Sequence, residues 1–197
     1  MKPTYKGFEA KKSNGFLELP PVGAYVAEIK QVRLVEADGK QQTRDVIELM
    51  IDIVEGEYSN RYMDFFTEQR ERFGDTIKFK GIFRLTPPVE GDEDWRKRSF
   101  EGNLWCVEQS NPGYTWDWDE TKLKGKKVGI SVRKRLYTFN GQDRETTEIG
   151  RFETVDDVRN GKVKPMRDRD QRTSKSDGGS ADPSGFTDVS KEMNVPW

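Results

Sequence analysis

Apolar and polar side chains alternate between Lys122 and Val155, and this alternation predicts two strands. Val128, Ile130 and Val132 fall on one side of the first strand, because successive side chains of a strand point to opposite faces. Asn140-Gly141 follows and predicts a two-residue hairpin turn, since both residue types tolerate positive φ. The return strand is expected from Thr146 to Val155.

The other side of the first strand is cationic near its start and aromatic near the turn. A surface that combines Arg and Lys with Tyr and Phe suits single-stranded nucleic acid, because cations neutralise phosphates and flat rings stack on unpaired bases. A solvated strand face beside core aromatics would show the same pattern and remains the alternative. The residues of this phase are Lys127, Ser131, Arg133, Arg135, Tyr137 and Phe139.

Alternation also predicts strands earlier in the chain. The first is expected over Ala24 to Ala37, where the apolar phase switches after Lys30 and so indicates a β-bulge. The second is expected over Arg44 to Val54. An extended piece from Arg61 to Thr67 and a strand from Ile77 to Leu85 complete the third, whose polar face is cationic through Lys78, Lys80 and Arg84.

Helical spacing replaces the alternation from Asp92 to Gln109, and a short helical turn is expected from Val155 to Gly161. The predicted order is therefore three strands, a helix and two strands. That is the order of the OB-fold, a five-stranded barrel with its helix between strands three and four. The predicted fold class is all-β with one helix.

Composition sets the limits of the folded part. Of the 197 residues, 32% are hydrophobic and 35% are charged, so a core running the whole length is not expected. We expect a flexible arm over 1–19, an OB-type domain over 20–164, and a basic linker with an acidic disordered tail over 165–197. The Gly-, Ser-, Asp- and Pro-rich sequence after Ser176 supports the last assignment.

Charge is distributed unevenly although the net charge is only −1. From Lys122 to Lys175 the chain has sixteen basic and eight acidic residues, whereas Ser176 to Trp197 carries a net charge of −3. A basic segment favours a polyanion partner. An acidic segment next to it could occupy the same basic surface until nucleic acid displaces it.

Several residue types are scarce in ways that restrict the chemistry. Histidine is absent and Cys106 is the single cysteine, which argues against a histidine general base, a His/Cys metal site and an internal disulfide. No apolar run is long enough to span a membrane, and no signal peptide is recognisable. We therefore expect a cytoplasmic protein without cofactor, metal or catalytic residues.

An enzyme remains the less favoured alternative. Without histidine it would most simply be a nuclease that holds a metal ion with carboxylates. Adjacent acids in loops are more often solvated than catalytic, and no lysine is spaced with them as in a nuclease motif. The candidate carboxylates are Asp117, Asp119 and Glu120, or Asp156 and Asp157.

Five sequence runs together resemble a family of single-stranded DNA-binding proteins from phages and mobile elements. The runs are LPPVGAYVAEIKQV (19–32), FKGIFRL (79–85), SNPGYTWDWDE (110–120), LKGKKVG (123–129) and VDDVRNGKVK (155–164). The resemblance implies an OB-type core that binds single-stranded DNA in the cytoplasm of a host cell. It assigns no individual contact residue, because these motifs are mostly structural.

The end of the chain resembles a separate feature, the acidic tail of bacterial single-stranded DNA-binding proteins. Those tails close on an apolar Pro-Phe pair, whereas this chain closes on Pro196-Trp197 and has fewer acids. The resemblance implies recruitment of replication or recombination proteins. The residues expected to bind such a partner are Asp188, Glu192, Val195, Pro196 and Trp197.

The sequence therefore favours a non-enzymatic protein of phage-type replication or recombination that binds single-stranded DNA without sequence specificity. A protein-interaction adaptor or inhibitor on an OB-type barrel is the alternative, and homo-oligomerisation stays open. The residues expected to contact DNA are Lys78, Lys80, Arg84, Lys127, Arg133, Arg135, Tyr137, Phe139, Arg151 and Phe152.

Overall fold

One sheet organises the residues that this computed structural model describes, 17–39 and 42–172. Within them the protein is mostly β, and the sheet has six strands and is open. Five strands pair antiparallel in the order β3-β2-β1-β4-β5, and the short β6 pairs parallel with β4. The bounds are β1 Gly23–Val35, β2 Val46–Ile53, β3 Ile82–Leu85, β4 Lys127–Phe139, β5 Gln142–Glu153 and β6 Arg169–Gln171.

Helices connect these strands at several points. The helix predicted between the third and fourth strands is confirmed as α2, Asp94–Ser110, and the helical turn after β5 is confirmed as α3, Val155–Arg159. The chain has more helix than predicted, because α1, Arg61–Phe73, lies between β2 and β3. A 3₁₀ turn, Glu120–Leu123, precedes β4.

The bulge predicted in the first strand is present. The pairing of β1 with β2 shifts between Ile29 and Gln31, which face Ile51 and Met50, so Lys30 is the extra residue. The predicted change of apolar phase after Lys30 is therefore confirmed. A bulge increases the local twist of a strand and so helps the sheet to bend.

The expected extended piece from Arg61 to Thr67 is wrong, because this segment begins α1. The side chain of Asp52, on β2, accepts hydrogen bonds from the backbone amides of Tyr62 and Met63, both at 3.1 Å. A carboxylate at this position accepts hydrogen bonds from N–H groups of the first helical turn and interacts favourably with the positive end of the helix dipole. The stabilising group is therefore ten residues away in sequence.

The strand predicted from Ile77 is shorter than expected and is regular only over Ile82–Leu85. Residue 81 must be glycine here, because a Cβ at this position would collide with the backbone oxygen of Ile51. The Gly81 carbonyl still accepts a hydrogen bond from Ile51 N at 2.8 Å. The chain before Gly81 leaves the ladder, and Phe79 packs under α1 against Tyr62 and Phe66.

A closed five-stranded barrel is not confirmed, because β3 and β5 are not joined by a hydrogen-bonded ladder. Their inward-facing rings nevertheless meet, with the centroids of Phe83 and Phe152 4.4 Å apart. Asn103 of α2 accepts the Phe152 backbone N–H at 2.9 Å. The helix thus takes a hydrogen-bonding group of β5 that a closing strand would need.

No helix in the part of the chain that the structure describes has the length and apolar character of a membrane span. Most of the predicted arm and the predicted tail contacts lie outside these residues. The tail contacts concerned are Asp188, Glu192, Val195, Pro196 and Trp197.

Candidate nucleic-acid interface

The β4–β5 hairpin extends beyond the rest of the sheet. Strand β1 pairs with β4 only over Lys127 to Val132, so the distal part of the hairpin continues as a ribbon. Its turn is Asn140-Gly141, with φ of 51° and 73°, as the sequence predicts. The return strand begins at Gln142, four residues earlier than expected, because the two-residue turn allows immediate pairing.

One side of this ribbon carries the cationic and aromatic side chains. Residues directly opposite each other in an antiparallel pair point to the same face. The register therefore combines four predicted residues of β4 with their partners on β5. We define the hairpin face as Arg133, Arg135, Tyr137 and Phe139, opposite Glu148, Thr146, Arg144 and Gln142 respectively.

Each ring on the hairpin face lies beside a guanidinium. The Arg135 guanidinium carbon is 5.6 Å from the centroid of Tyr137, and that of Arg144 is 5.9 Å from Phe139. Phe139 is 55% exposed, which is high for a large apolar side chain. Tyr137 is half-buried. A ring beside a cation can stack on a base while the cation neutralises the adjoining phosphate.

Glu148 is the acid of the hairpin face and lies opposite Arg133, at the end farthest from the turn. Arg133 Nε donates to Glu148 Oε1 at 2.9 Å, and Arg135 Nε lies 4.0 Å from Oε2. One carboxylate therefore faces two cations on β4. Together with Arg144, the hairpin face keeps an excess of positive charge.

Outside the hairpin face, three more of the predicted DNA contacts are cations paired with a carboxylate. The shortest of these pairs, from Arg151, measures 2.5 Å, and Ser131 donates to the same acid at 2.7 Å. Such pairing reduces the charge available to a phosphate. The pairs are Arg84 with Glu48, Lys127 with Glu55, and Arg151 with Glu153.

The remaining predicted contacts are divided between the core and the loop before β3. Phe152 is only 3% exposed and packs on Phe83, so its ring belongs to the core and is closed to a nucleic-acid base. It falls on the inward phase because Gly150 adds a residue to β5 opposite Ser131 and Val132. Lys78 and Lys80 are exposed on the loop before β3.

Sequence reasoning overlooked two arginines that stand with the hairpin face. Arg144 could have been found, because a two-residue turn at Asn140-Gly141 sets a register that pairs it with Tyr137. Arg169 was marked only by the basic composition of Lys162 to Lys175, a segment that could contact phosphates. It comes from the C-terminal strap, residues 162–172, and its Nη1 lies 3.7 Å from Glu148 Oε1.

The carboxylates weighed for a nuclease have local structural contacts. Asp119 accepts from the Thr121 amide at 3.1 Å and from its hydroxyl at 2.5 Å, and these hydrogen bonds lower the pKa of Asp119. Asp117 pairs with Lys122, which lowers its pKa. Asp157 accepts from Thr154, the N-cap residue before α3. Among the residues described, no group of His, Cys, Asp and Glu is placed to hold a metal ion.

The chain matches no protein-family model, and no curated protein is significantly similar to it.

Proposed function

We propose that the protein binds single-stranded DNA without sequence specificity and catalyses no reaction. The observation that supports this most directly is the exposed Phe139 ring next to the guanidinium of Arg144, with Tyr137 and Arg135 repeating the arrangement along the strand. Base stacking on such rings contributes about 1–3 kcal/mol per base and tolerates any base.

We propose that the fold is an OB-type barrel left open between β3 and β5. The element order, apart from the inserted α1 and the added β6, and the pairing of β1 with β4 support this proposal. The contact between Phe83 and Phe152 supports it further, because the two unpaired strands approach each other on the inner side. Nucleic acid is a common ligand of this architecture.

The proposed setting is phage-type replication or recombination in the cytoplasm of a host cell. The five sequence runs that resemble phage single-stranded DNA-binding proteins support it, and all five fall largely in the described part of the chain. The C-terminal tail, ending at Trp197, would recruit the partner proteins. If this acidic segment also competes with DNA for the basic surface, removing residues 176–197 should leave the affinity for DNA equal or higher, and a large loss of affinity would contradict that competition.

The direct test is a titration of intrinsic tryptophan fluorescence with oligo-dT at two salt concentrations. A duplex of the same length serves as the control ligand. We expect tighter binding to the single strand, and a log-affinity that falls linearly with log-salt by about 0.7 per phosphate contact. Equal binding to both ligands would contradict the proposal.

A protein-interaction adaptor is the second candidate, and one surface favours it. Trp118 is 66% exposed and adopts a φ of 66°, which is uncommon for a bulky residue. It stacks on Phe100, with centroids 5.9 Å apart, and borders a cleft of about 270 Å³. The cleft is also lined by Leu34, Ile47, Pro87, Val89, Trp116, Arg44, Asp45 and Glu120.

Trp118→Ala separates the two functions. If the protein is primarily a DNA-binding protein, this variant keeps the affinity of the parent for oligo-dT, whereas Phe139→Ala binds oligo-dT more weakly. If the protein is instead an adaptor, neither the parent nor the two variants should bind single-stranded DNA more tightly than duplex DNA. Both variants should be compared with the parent in the same fluorescence titration.

A further inference from the structure

Three guanidiniums surround a single carboxylate beside the hairpin face. Arg133 Nε lies 2.9 Å and Arg169 Nη1 lies 3.7 Å from Glu148 Oε1, while Arg135 Nε lies 4.0 Å from Oε2. The side chains of Arg133, Arg169 and Glu148 are each less than a quarter exposed. This group therefore keeps two uncompensated positive charges in a partly desolvated position.

This cluster of three guanidiniums and one carboxylate has a net positive charge that favours binding of an anion. Guanidiniums that share one carboxylate repel each other, and water screens them less where they are partly buried. Arg133 and Arg135 each direct Nε to a protein acceptor, Glu148 and Gln171. The two Nη groups of a guanidinium form a fork that fits two oxygens of a phosphate.

The third guanidinium is supplied by the C-terminal strap, which specific contacts hold against the ribbon. Strand β6 of the strap pairs with β4, with Arg169 opposite Arg135. Arg135 Nε donates to Gln171 Oε1 at 2.8 Å. Met166 sits over Gly150, where an added Cβ would lie 2.5 Å from its sulfur. The end of the Met166 side chain thus occupies the space that a side chain at residue 150 would take.

The beginning of the strap is also anchored. Helix α3 ends at Arg159, whose Nη2 lies 2.5 Å from Glu55 Oε1, and Gly161 then turns the chain with a φ of 65°. Gly129 lets α3 approach β4 closely, because a Cβ there would lie 2.6 Å from Val158 Cγ2. The start and the end of the strap are therefore both positioned by the hairpin and its neighbours.

We propose that Arg133, Arg135 and Arg169 form a single site for one backbone phosphate of single-stranded DNA, and that the strap is part of the binding surface. This inference rests on the proposed function. It adds Arg169 to the interface and gives Glu148 the role of holding the three guanidiniums together. The phosphate would add a second negative charge to that of Glu148 and so neutralise one of the two uncompensated positive charges.

Arg169→Ala tests the site, with Arg172→Ala as a matched control on the same strap. Arg172 pairs with Asp170, its Nη2 lying 2.5 Å from Oδ2, and it is not among the arginines around Glu148. We expect Arg169→Ala to weaken binding of oligo-dT roughly fivefold or more and to reduce the salt slope by about 0.7. Arg172→Ala should change the slope less. Equal effects of the two variants would overturn the proposal.

Two further variants separate charge from position. Gly150→Ala keeps every charge but displaces Met166, so it should weaken binding, and adding Met166→Ala should restore it. Glu148→Gln keeps an acceptor oxygen that can still position the guanidiniums but removes the negative charge that competes with a phosphate, so it should tighten binding of oligo-dT. If Glu148→Gln lowers only the stability, measured by urea unfolding, and leaves affinity unchanged, the cluster has a structural role and the proposal is wrong.

Pyrophosphate is the probe that distinguishes a failure of this site from a failure of the proposed function. It should bind the full-length protein, compete with oligo-dT, and bind Arg169→Ala more weakly than Arg172→Ala. If the protein binds oligo-dT but pyrophosphate shows no difference between the two variants, the phosphate site is overturned and the proposed function stands. If pyrophosphate shows the difference but oligo-dT does not bind, the anion site stands and the nucleic-acid function fails.

Discussion

Glu48 and Arg84 face each other across β2 and β3, and Arg84 Nε donates to Glu48 Oε1 at 2.8 Å. Arg33 of β1 lies opposite Glu48 on the other side and hydrogen-bonds its second oxygen. The Glu48 residue is only 6% exposed. This carboxylate therefore links three neighbouring strands, and Arg84 has a structural partner whether or not it also contacts DNA.

Replacing Glu48 by Gln should make stability depend less on pH. Burial by itself raises the pKa of Glu48, but hydrogen bonds from Arg33 and Arg84 outweigh it and hold the pKa below the ordinary value of 4.5. The stabilisation is thus present above 4.5 and is lost as the pH falls through the lower, folded-state pKa. Urea unfolding should show a loss of about 2 kcal/mol at pH 7. The difference between the two proteins should shrink below pH 4, and a constant difference would contradict the explanation.

Replacing Arg135 by Ala should weaken binding of oligo-dT and lower the salt slope by about 0.7, the contribution of one phosphate contact on a single strand. Arg70→Ala on α1 is the control, because Arg70 is 53% exposed and pairs with Asp75 away from the hairpin. Fluorescence titrations at 50 and 200 mM salt would measure both. A slope unchanged in Arg135→Ala would remove this residue from the interface.

Replacing Phe139 by Ala should cost about 1–3 kcal/mol of binding free energy if the ring stacks on a base. Phe73→Ala provides the control, since Phe73 is 62% exposed on α1 and belongs to no proposed site. Neither change should alter the unfolding midpoint much, because both rings are solvated. Similar affinities of the two variants for oligo-dT would show that the Phe139 ring is exposed but does not stack on a base.

Replacing Asp52 by Ala should destabilise the protein by on the order of 3 kcal/mol, since three backbone N–H groups, two of them buried, lose their acceptor. The donors are Ile53, Tyr62 and Met63. Asp64→Ala in the first turn of α1 is the control for a simple loss of charge near a helix start. Chemical denaturation of both variants gives the comparison, and an equal loss would argue against the capping role of Asp52.

Cys106 should resist thiol reagents until the protein unfolds. Burial raises the pKa of its thiol to about 11, and the side chain is 9% exposed. The reactive thiolate is therefore scarce at pH 8. Labelling with iodoacetamide across a urea gradient should follow the unfolding curve monitored by tryptophan fluorescence. Rapid labelling in the absence of urea would contradict the packing of α2 on β5.

Local patterns predicted the elements whose stabilising contacts are close in sequence. The turn at Asn140-Gly141 needs positive φ at two adjacent residues, and the bulge at Lys30 appears as a change of apolar phase within one strand. Both signals are independent of distant parts of the chain. The helix α2 was similarly visible from its own spacing.

Predictions failed where a distant contact decides the conformation. The segment from Arg61 was predicted to be extended but forms α1, and Asn60 directly before it makes no side-chain capping hydrogen bond. Its helix is capped by Asp52, across a turn that includes Asn60 with a φ of 58°. Phe152 was predicted to contact DNA, yet the bulge at Gly150 puts its ring into the core.

The sequence by itself determined the hairpin, its turn and the alternation that puts Arg133, Arg135, Tyr137 and Phe139 on one face, because strand periodicity and turn chemistry act over a few residues. Only the tertiary structure decided that α2 covers the edge of β5 and that the strap brings Arg169 to Glu148. These contacts join residues that are distant in sequence. Their geometry depends on how the whole sheet bends and which side chains fit at Gly150, and short-range patterns carry no information on either.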